Sequence, residues 1–191
     1  MSKKLDDVVI TSALRTPIGT YKGSLKNLSA DKLGALAIKE AVHKSNLKSE
    51  QIDEVIMGHV LTSGLGQNPA RQASINAGIP VSKPAHIVNQ VCGSGLRSIV
   101  SGFQSIKLEE DMIVVSGGQE NMSRAPHALF YRENKKLDES KLIDTMINDG
   151  LIDSFNHYHM GITAENVAEK FEISRDEQDN FALNSQKKTQ E

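Results

Sequence analysis

Four short apolar runs, separated by turns and helical patterns, constrain the fold of this 191-residue chain more than any other feature. The runs lie at residues 8–10, 55–57, 86–88 and 112–116. Between the first two, apolar side chains recur at helical spacing after Ser29, a residue type that favours the position before a helix. Strands that alternate with helices predict a mostly parallel sheet with right-handed crossovers, so we expect an α/β fold.

Composition excludes several classes of protein. The chain is 38% hydrophobic and 24% charged, as in an ordinary globular protein, and its formal net charge of −2 gives no electrostatic reason to bind nucleic acid or an anionic membrane. One cysteine excludes a disulfide framework and a multi-cysteine zinc site, so we expect no metal. No apolar run could serve as a secretory signal or cross a bilayer. We expect a soluble, cytoplasmic protein without nucleic-acid or membrane partners.

The lone cysteine, Cys92, follows the third apolar run and precedes a glycine-rich turn and a helical pattern over residues 93–106. A thiol at a strand-to-helix junction faces the positive end of the helix, which favours the thiolate nucleophile. Gly93 and Gly95 would let a substrate approach closely. The alternative is a buried, inert cysteine, since cysteine is among the most buried residue types. The residues by themselves do not decide between a reactive and a buried cysteine.

The helical pattern after Cys92 combines apolar bulk with many small residues. Before Lys107 it carries a single charged residue, Arg97, whereas a surface helix would carry a charged face. We therefore expect this helix to be buried between layers of the fold.

The texture of the sequence changes after Gly118. Residues 141–151 and 163–171 have helical patterns, and Ser174 followed by Glu177 has the spacing of a capping box that opens a last helix. The sequence stops at residue 191 inside that helical pattern. We expect the chain to be the first part of a longer protein, the alternative being a natural frayed end.

Five segments, in a fixed order, resemble the thiolase family of acetyl-CoA acetyltransferases. They are RTPIG at 15–19, GLGQNPARQ at 64–72, NQVCGSG at 89–95, GGQENMS at 117–123 and HMGITAENVA at 159–168. The pair His159 and Met160 resembles the short-chain, acetoacetyl-CoA type of thiolase. Without the resemblance, His159 would be interpreted as a surface histidine.

The resemblance implies a fold, a reaction and its residues. The expected fold is thiolase-like: a mixed, mostly parallel sheet with a buried helix, the first core half at residues 1–120 and part of an inserted helical loop domain at 121–191. Cys92 would be the nucleophile that forms an acyl-thioester intermediate, and His159 and Met160 would line the acyl-CoA pocket. The implied substrates and products are acetyl-CoA, acetoacetyl-CoA and CoA, with no other cofactor.

The resemblance also implies groups that this sequence lacks. The family's second half supplies a catalytic histidine in a Gly-His-Pro motif and a second cysteine. The nearest match, Gly58-His59-Val60, has no proline, so we expect His59 to be structural. We expect the chain by itself to be inactive and the full-length protein to be a homodimer or homotetramer. The alternatives are a ketoacyl synthase that uses acyl carrier protein and a non-catalytic fragment that acts as an interaction partner.

Overall fold

A computed structural model describes residues 7–132 and 141–190 of the chain. The chain divides into two compact units, Met1–Gly150 and Leu151–Glu191. The predicted boundary at residue 120, between a core half and a loop domain of the family, stays a prediction.

The first unit is built on a parallel sheet. Its elements in chain order are α1 (Ala30–Lys44), β1 (Glu54–Gly58), α2 (Pro69–Asn76), β2 (Ala85–Val88), α3 (Ser94–Lys107) and β3 (Val114–Gly118). The strand order is β2-β1-β3, and Val55 of the central strand pairs in parallel with Ala85 on one side and Val115 on the other. The predicted parallel sheet with helical crossovers is confirmed.

The hydrophobic core lies on the face of the sheet that α1 and α2 cover. Val55 and Met57 of β1 are at most 2% exposed and pack there with Ile38 of α1 and Ala73 of α2. Ile56, between them in sequence, points to the opposite face because successive strand residues alternate. That opposite face is the one on which α3 packs, against β1 and β3.

The first predicted strand, at residues 8–10, is wrong. Val9 and Ile10 are 71% and 77% exposed, and this segment pairs with no strand in the described part of the chain. The residues just after it are attached to the end of α1, where the Ser12 hydroxyl donates to the Ala41 carbonyl at 2.9 Å. A run of three apolar residues gains strand structure from a neighbouring strand, and here it has none.

The last strand of the sheet begins two residues later than the pattern of apolar residues predicts. The carboxylate of Asp53 accepts the backbone N–H groups of Met112 and Ile113, each at 3.0 Å. These bonds, first of all the one from Met112, hold the pKa of Asp53 below its usual value. A side chain therefore takes the place of a strand partner for these two N–H groups, while the Ile113 carbonyl still accepts the backbone N–H of Asp53 at 2.9 Å.

Helix α3 is buried on one face only, which corrects the prediction that it lies between layers. Its small residues face the sheet: Ser98 is fully buried, and a Cβ added to Gly102 would lie 2.5 Å from Ser116 Oγ. Its large residues face away, with Leu96 70% and Phe103 48% exposed. The small residues let the helix approach the sheet closely, and this approach leaves the bulky ones outside.

The remaining elements are short or peripheral. In the first unit, β4 (His127–Ala128) pairs antiparallel with β5 (Ile143–Asp144), and α4 (Thr145–Gly150) follows. The second unit contains α5 (Met160–Lys170) and α6 (Arg175–Gln190). Among the described residues, no helix is long and apolar enough to cross a membrane.

The predicted capping box at the start of α6 is confirmed. Ser174 Oγ accepts the N–H of Glu177 at 3.2 Å, and Glu177 Oε2 accepts the N–H of Ser174 at 2.8 Å. These bonds satisfy donors that have no partner within the helix. The bond that the carboxylate accepts from the Ser174 N–H, and a second from the Ser174 hydroxyl, lower the pKa of Glu177.

Candidate active site

Cys92 lies in the turn between the end of β2 and the start of α3, and its side chain is exposed. The predicted strand-turn-helix setting is confirmed, and the alternative of a buried cysteine is wrong. The thiol makes no hydrogen bond with any residue in 7–132 or 141–190. It is therefore accessible to a reagent or substrate from solvent.

The turn around Cys92 is held by its own backbone and by two side chains. The N–H groups of Gly93 and Ser94 donate to the carbonyls of Gln90 and Val91, at 3.0 and 3.1 Å. Asn89 Oδ1 accepts the N–H of Val91 at 3.0 Å. Ser94 Oγ accepts the N–H of Gln90 at 2.8 Å and donates to the Val91 carbonyl at 2.6 Å. The buried Ser94 thus closes the turn.

Val91, the residue before the cysteine, has a φ of 48°. This left-handed conformation is rare for a β-branched residue and costs energy. The hydrogen bonds of the turn maintain it. Strained backbone of this kind concentrates at functional sites, so the conformation of Val91 marks the Cys92 turn as a candidate site.

Glycines allow the start of α3 to lie close against the carboxyl edge of the sheet. A Cβ added to Gly58, the last residue of β1, would lie 2.4 Å from the carbonyl carbon of Ser94. The Ser98 hydroxyl lies 2.7 Å from the carbonyl oxygens of both Gly95 and Gly117. The residue before α3, Gly93, offers no side-chain cap. The uncapped start of α3 can therefore face a developing negative charge.

The ends of the other two strands bring a polar cluster to the same edge of the sheet, with two buried members and one half-buried glutamate. His59 follows β1 and is 1% exposed, and Gln119 and Glu120 follow β3. Gln119 Nε2 and Glu120 Oε1 each lie 3.3 Å from a ring nitrogen of His59. His59 is packed inside the fold, as expected of a structural residue. Gln119 and Glu120 had no predicted role of their own; the sequence signal for them is a polar pair directly after an apolar strand.

The polar side chains of segment 64–72 bond to the backbone at the start of α2 and at residues 81–85. Asn68 Oδ1 accepts the N–H of Arg71 at 3.0 Å and so caps α2, while Asn68 Nδ2 donates to the Ala85 carbonyl at 2.9 Å. The Arg71 guanidinium donates to the carbonyls of Val81 and Lys83. These polar side chains position the strand that leads to Cys92.

Segment 117–123 is bonded to the turns that precede α1. Asn121 Nδ2 donates to the carbonyls of Leu25 and Leu28, at 3.0 and 2.6 Å. Ser123 Oγ accepts the N–H of Lys22 at 2.8 Å. The segment therefore attaches the turns before α1 to the end of β3.

His159 and Met160 lie in the second unit, at the start of α5. His159 is the residue before the helix, and its Nδ1 accepts the N–H of Gly161 at 3.0 Å. Both side chains are exposed, Met160 to 36%. That this pair lines an acyl-CoA pocket with Cys92 stays a prediction.

Comparison with known proteins identifies the family. A profile described as "Thiolase, N-terminal domain" matches residues 8–191. The chain belongs to the thiolase family. This thiolase chain is 53% identical over 187 residues to an acetyl-CoA acetyltransferase of Cupriavidus necator, an alignment that covers 97% of the chain and 48% of the relative.

Relatives from other organisms have the same name. A cytosolic acetyl-CoA acetyltransferase of Rattus norvegicus is 48% identical over 190 residues, covering 100% of the thiolase chain and 48% of the relative. A probable acetyl-CoA acetyltransferase of Escherichia coli is 50% identical over 185 residues, covering 96% and 47%. The chain spans about half the length of the curated relatives that it matches.

Proposed function

We propose that this chain carries the acyl-accepting cysteine of an acetyl-CoA acetyltransferase, which condenses two acetyl-CoA molecules into acetoacetyl-CoA and CoA or catalyses the reverse thiolysis. The observation that supports the proposal is the exposed Cys92 on a strained turn at the uncapped start of α3. The names of the relatives support the same reaction.

In the proposed first half-reaction, the Cys92 thiolate attacks the carbonyl carbon of acetyl-CoA. The tetrahedral intermediate carries a negative oxygen, which the N–H groups at the start of α3 would stabilise. The bond between the acyl carbon and the CoA sulfur then breaks, and CoA leaves as a thiolate that takes up a proton. An acetyl group remains on Cys92, and one difficult transfer has become two easier ones.

In the second half-reaction, another acetyl-CoA loses an α-proton, and its carbanion attacks the acyl carbon on Cys92. The cysteine leaves as a thiolate, and acetoacetyl-CoA is released. By resemblance to the family, the groups that move this proton belong to the half of the protein beyond the present sequence. We propose that His159 and Met160 contact the acyl-CoA.

The proposal includes the partners and the location. The substrates are CoA thioesters, and the chemistry described needs no metal or further cofactor because the thioester is itself an activated acyl group. We propose a homodimer or homotetramer of the full-length protein, without nucleic-acid or membrane partners. The word "cytosolic" in the name of the rat relative supports a cytoplasmic location, which we propose for this protein.

The test is acetyl transfer to Cys92 in the full-length protein. Incubation with acetyl-CoA, followed by mass spectrometry of the peptide that holds residue 92, should find one acetyl group there. Cys92→Ser should lose this label and lower turnover roughly a thousandfold or more. Ser101→Ala, elsewhere on α3, is the matched control and should retain both. Near wild-type turnover in Cys92→Ser would overturn the proposal, and acyl transfer only from carrier-protein thioesters would indicate a ketoacyl synthase.

A further inference from the structure

We propose that His59 is a positioning residue for Cys92, acting with Gln119 and Glu120 through the ends of the three strands. The inference rests on the proposed function of Cys92 as the nucleophile. In this proposal, the side chains of His59, Gln119 and Glu120 together determine the position of the Cys92 turn.

The backbone of residue 59 is bonded directly to the strand that leads into the Cys92 turn. The N–H of His59 donates to the carbonyl of Val88, the last residue of β2, at 3.1 Å. On the other side, the N–H of Gln119 donates to the carbonyl of Gly58 at 3.0 Å. Residue 59 therefore lies at the junction of all three strand ends.

The side chain of His59 is held between the two residues that follow β3. Its Nδ1 lies 3.3 Å from Gln119 Nε2, a donor, so we assign the ring proton to Nε2. Nε2 lies 3.3 Å from Glu120 Oε1. The Glu120 carboxylate also accepts the N–H of Val60 at 2.9 Å and that of Leu61 at 3.3 Å. Glu120 thus contacts the ring of His59 and the two residues that follow it in the chain.

The side chains of this cluster are closely packed, although two of their polar atoms have no hydrogen bond in the described part of the chain. Nε2 of His59 and Oε1 of Gln119 are buried and make no hydrogen bond within the described residues. Such atoms are rare in folded proteins and destabilise them. A Cβ added to Gly34 of α1 would lie 2.0 Å from Gln119 Oε1, so α1 leaves the amide little room. The fold retains these polar side chains although two of their atoms cost stability, which points to a role in positioning.

Both ends of the Cys92 turn contact this junction. Val88 precedes the turn and accepts the N–H of His59, while Ser94 closes the turn and lies against Gly58. A shift of residue 59 would therefore move the turn at both ends. The sulfur of Cys92 would move away from the N–H groups of α3, which favour its reactive thiolate form.

The test measures the rate at which iodoacetamide alkylates Cys92 in the full-length protein, followed by mass spectrometry of the peptide that holds residue 92. His59→Leu should lower the second-order rate constant about fivefold. His59→Gln should recover most of the rate, because an amide can bond to both Gln119 and Glu120. His86→Gln is the matched control. His86 also pairs with a glutamate on this sheet, Glu54 at 2.9 Å, but this pair lies toward the opposite end of the strands from the Cys92 turn, so the alkylation rate should not change.

Circular dichroism and thermal unfolding establish that each variant is folded. If His59→Leu does not fold, Gln119→Met carries the comparison, because it retains His59 and removes the partner of its Nδ1. A folded variant that is less stable but alkylated at the wild-type rate would show a merely structural role and overturn the inference. Alkylation involves no acyl transfer, so this outcome is distinct from a failure of the acetyl-labelling test.

Discussion

At the scale of single residues, Val91 shows how the chain holds its reactive turn. Its φ of 48° is a conformation in which a β-branched side chain crowds the backbone, and its N–H and carbonyl are both hydrogen bonded. The turn is therefore determined by its bonds rather than by the preference of the residue that occupies it. A substitution at this position tests the bonds and the φ angle separately.

We expect Val91→Gly to retain the fold, with a free energy of unfolding within about 1 kcal/mol of the wild type, because relief of strain offsets the added flexibility of glycine. Val91→Pro should lower it by about 3 kcal/mol or more, because proline fixes φ near −65° and removes the N–H that Asn89 accepts. Urea unfolding followed by circular dichroism measures both. A proline variant as stable as the wild type would contradict this description of the turn.

The prediction for His159 and Met160 is also a residue-scale one. Changing both to alanine in the full-length protein should raise KM for acetoacetyl-CoA about tenfold, since two contacts with the substrate are lost. The thermal midpoint should change little, because both side chains are exposed. Steady-state thiolysis measures the effect, with Lys170→Ala at the other end of α5 as the control. An unchanged KM would remove the pair from the site.

At the scale of elements, Asp53 determines where β3 begins, and its effect depends on pH. Its folded pKa is lowered, chiefly by the N–H of Met112, below the ordinary value of 3.8. The ionised form therefore stabilises the fold fully above about pH 3.8, and this contribution is lost as the pH falls through the folded pKa.

We expect Asp53→Ala to lower the free energy of unfolding at pH 7 by about 1 kcal/mol. The expected effect is small because the side chain is one-third exposed and water screens its charge. At pH 3 the difference from the wild type should be smaller. Urea unfolding at the two pH values tests this, with the exposed Asp149→Ala as the control. A difference that grows as the pH falls would contradict the assignment.

Sequence patterns predicted the helices and strands better than they predicted which distant residues contact one another. The parallel sheet, its crossover helices and the strand-turn-helix setting of Cys92 follow from periodicity and glycine placement, which are properties of residues near one another in sequence. The exposure of Cys92 was left open by the sequence. The missing strand at 8–10 and the late start of β3 depend on contacts across the chain, one absent and one made by Asp53. The cluster of His59, Gln119 and Glu120 joins residues about 60 positions apart, a contact that no local pattern contains.

At the scale of the whole molecule, the exposed side of α3 is apolar, whereas a helix that packs on a sheet usually has a polar outer side. Four of its apolar residues are between 37% and 70% exposed: Leu96, Ile99, Val100 and Phe103. Contiguous apolar surface of this kind associates in water. The chain also spans about half of its relatives' length.

We expect the 191-residue chain by itself to be oligomeric or poorly soluble and to show no sustained thiolysis of acetoacetyl-CoA. Slow acylation of Cys92 is compatible with this expectation, because an exposed thiol reacts without a paired base. Light scattering and a thiolysis assay measure the two properties. Leu96→Glu with Phe103→Lys should reduce association, and Glu165→Lys with Lys170→Glu on α5 controls for charge. A monomeric chain with sustained turnover would contradict both expectations.

The close seating of α3 also predicts how this helix tolerates variation. Where the helix meets the sheet, at Ser98 and Gly102, an extra methyl group would lift the whole helix and carry the Cys92 turn with it. On the outer face, a change of volume at Leu96 would leave the turn where it is. A saturation library selected for Cys92 reactivity would therefore retain only the smallest side chains along one stripe of α3 and accept wide variation along the other.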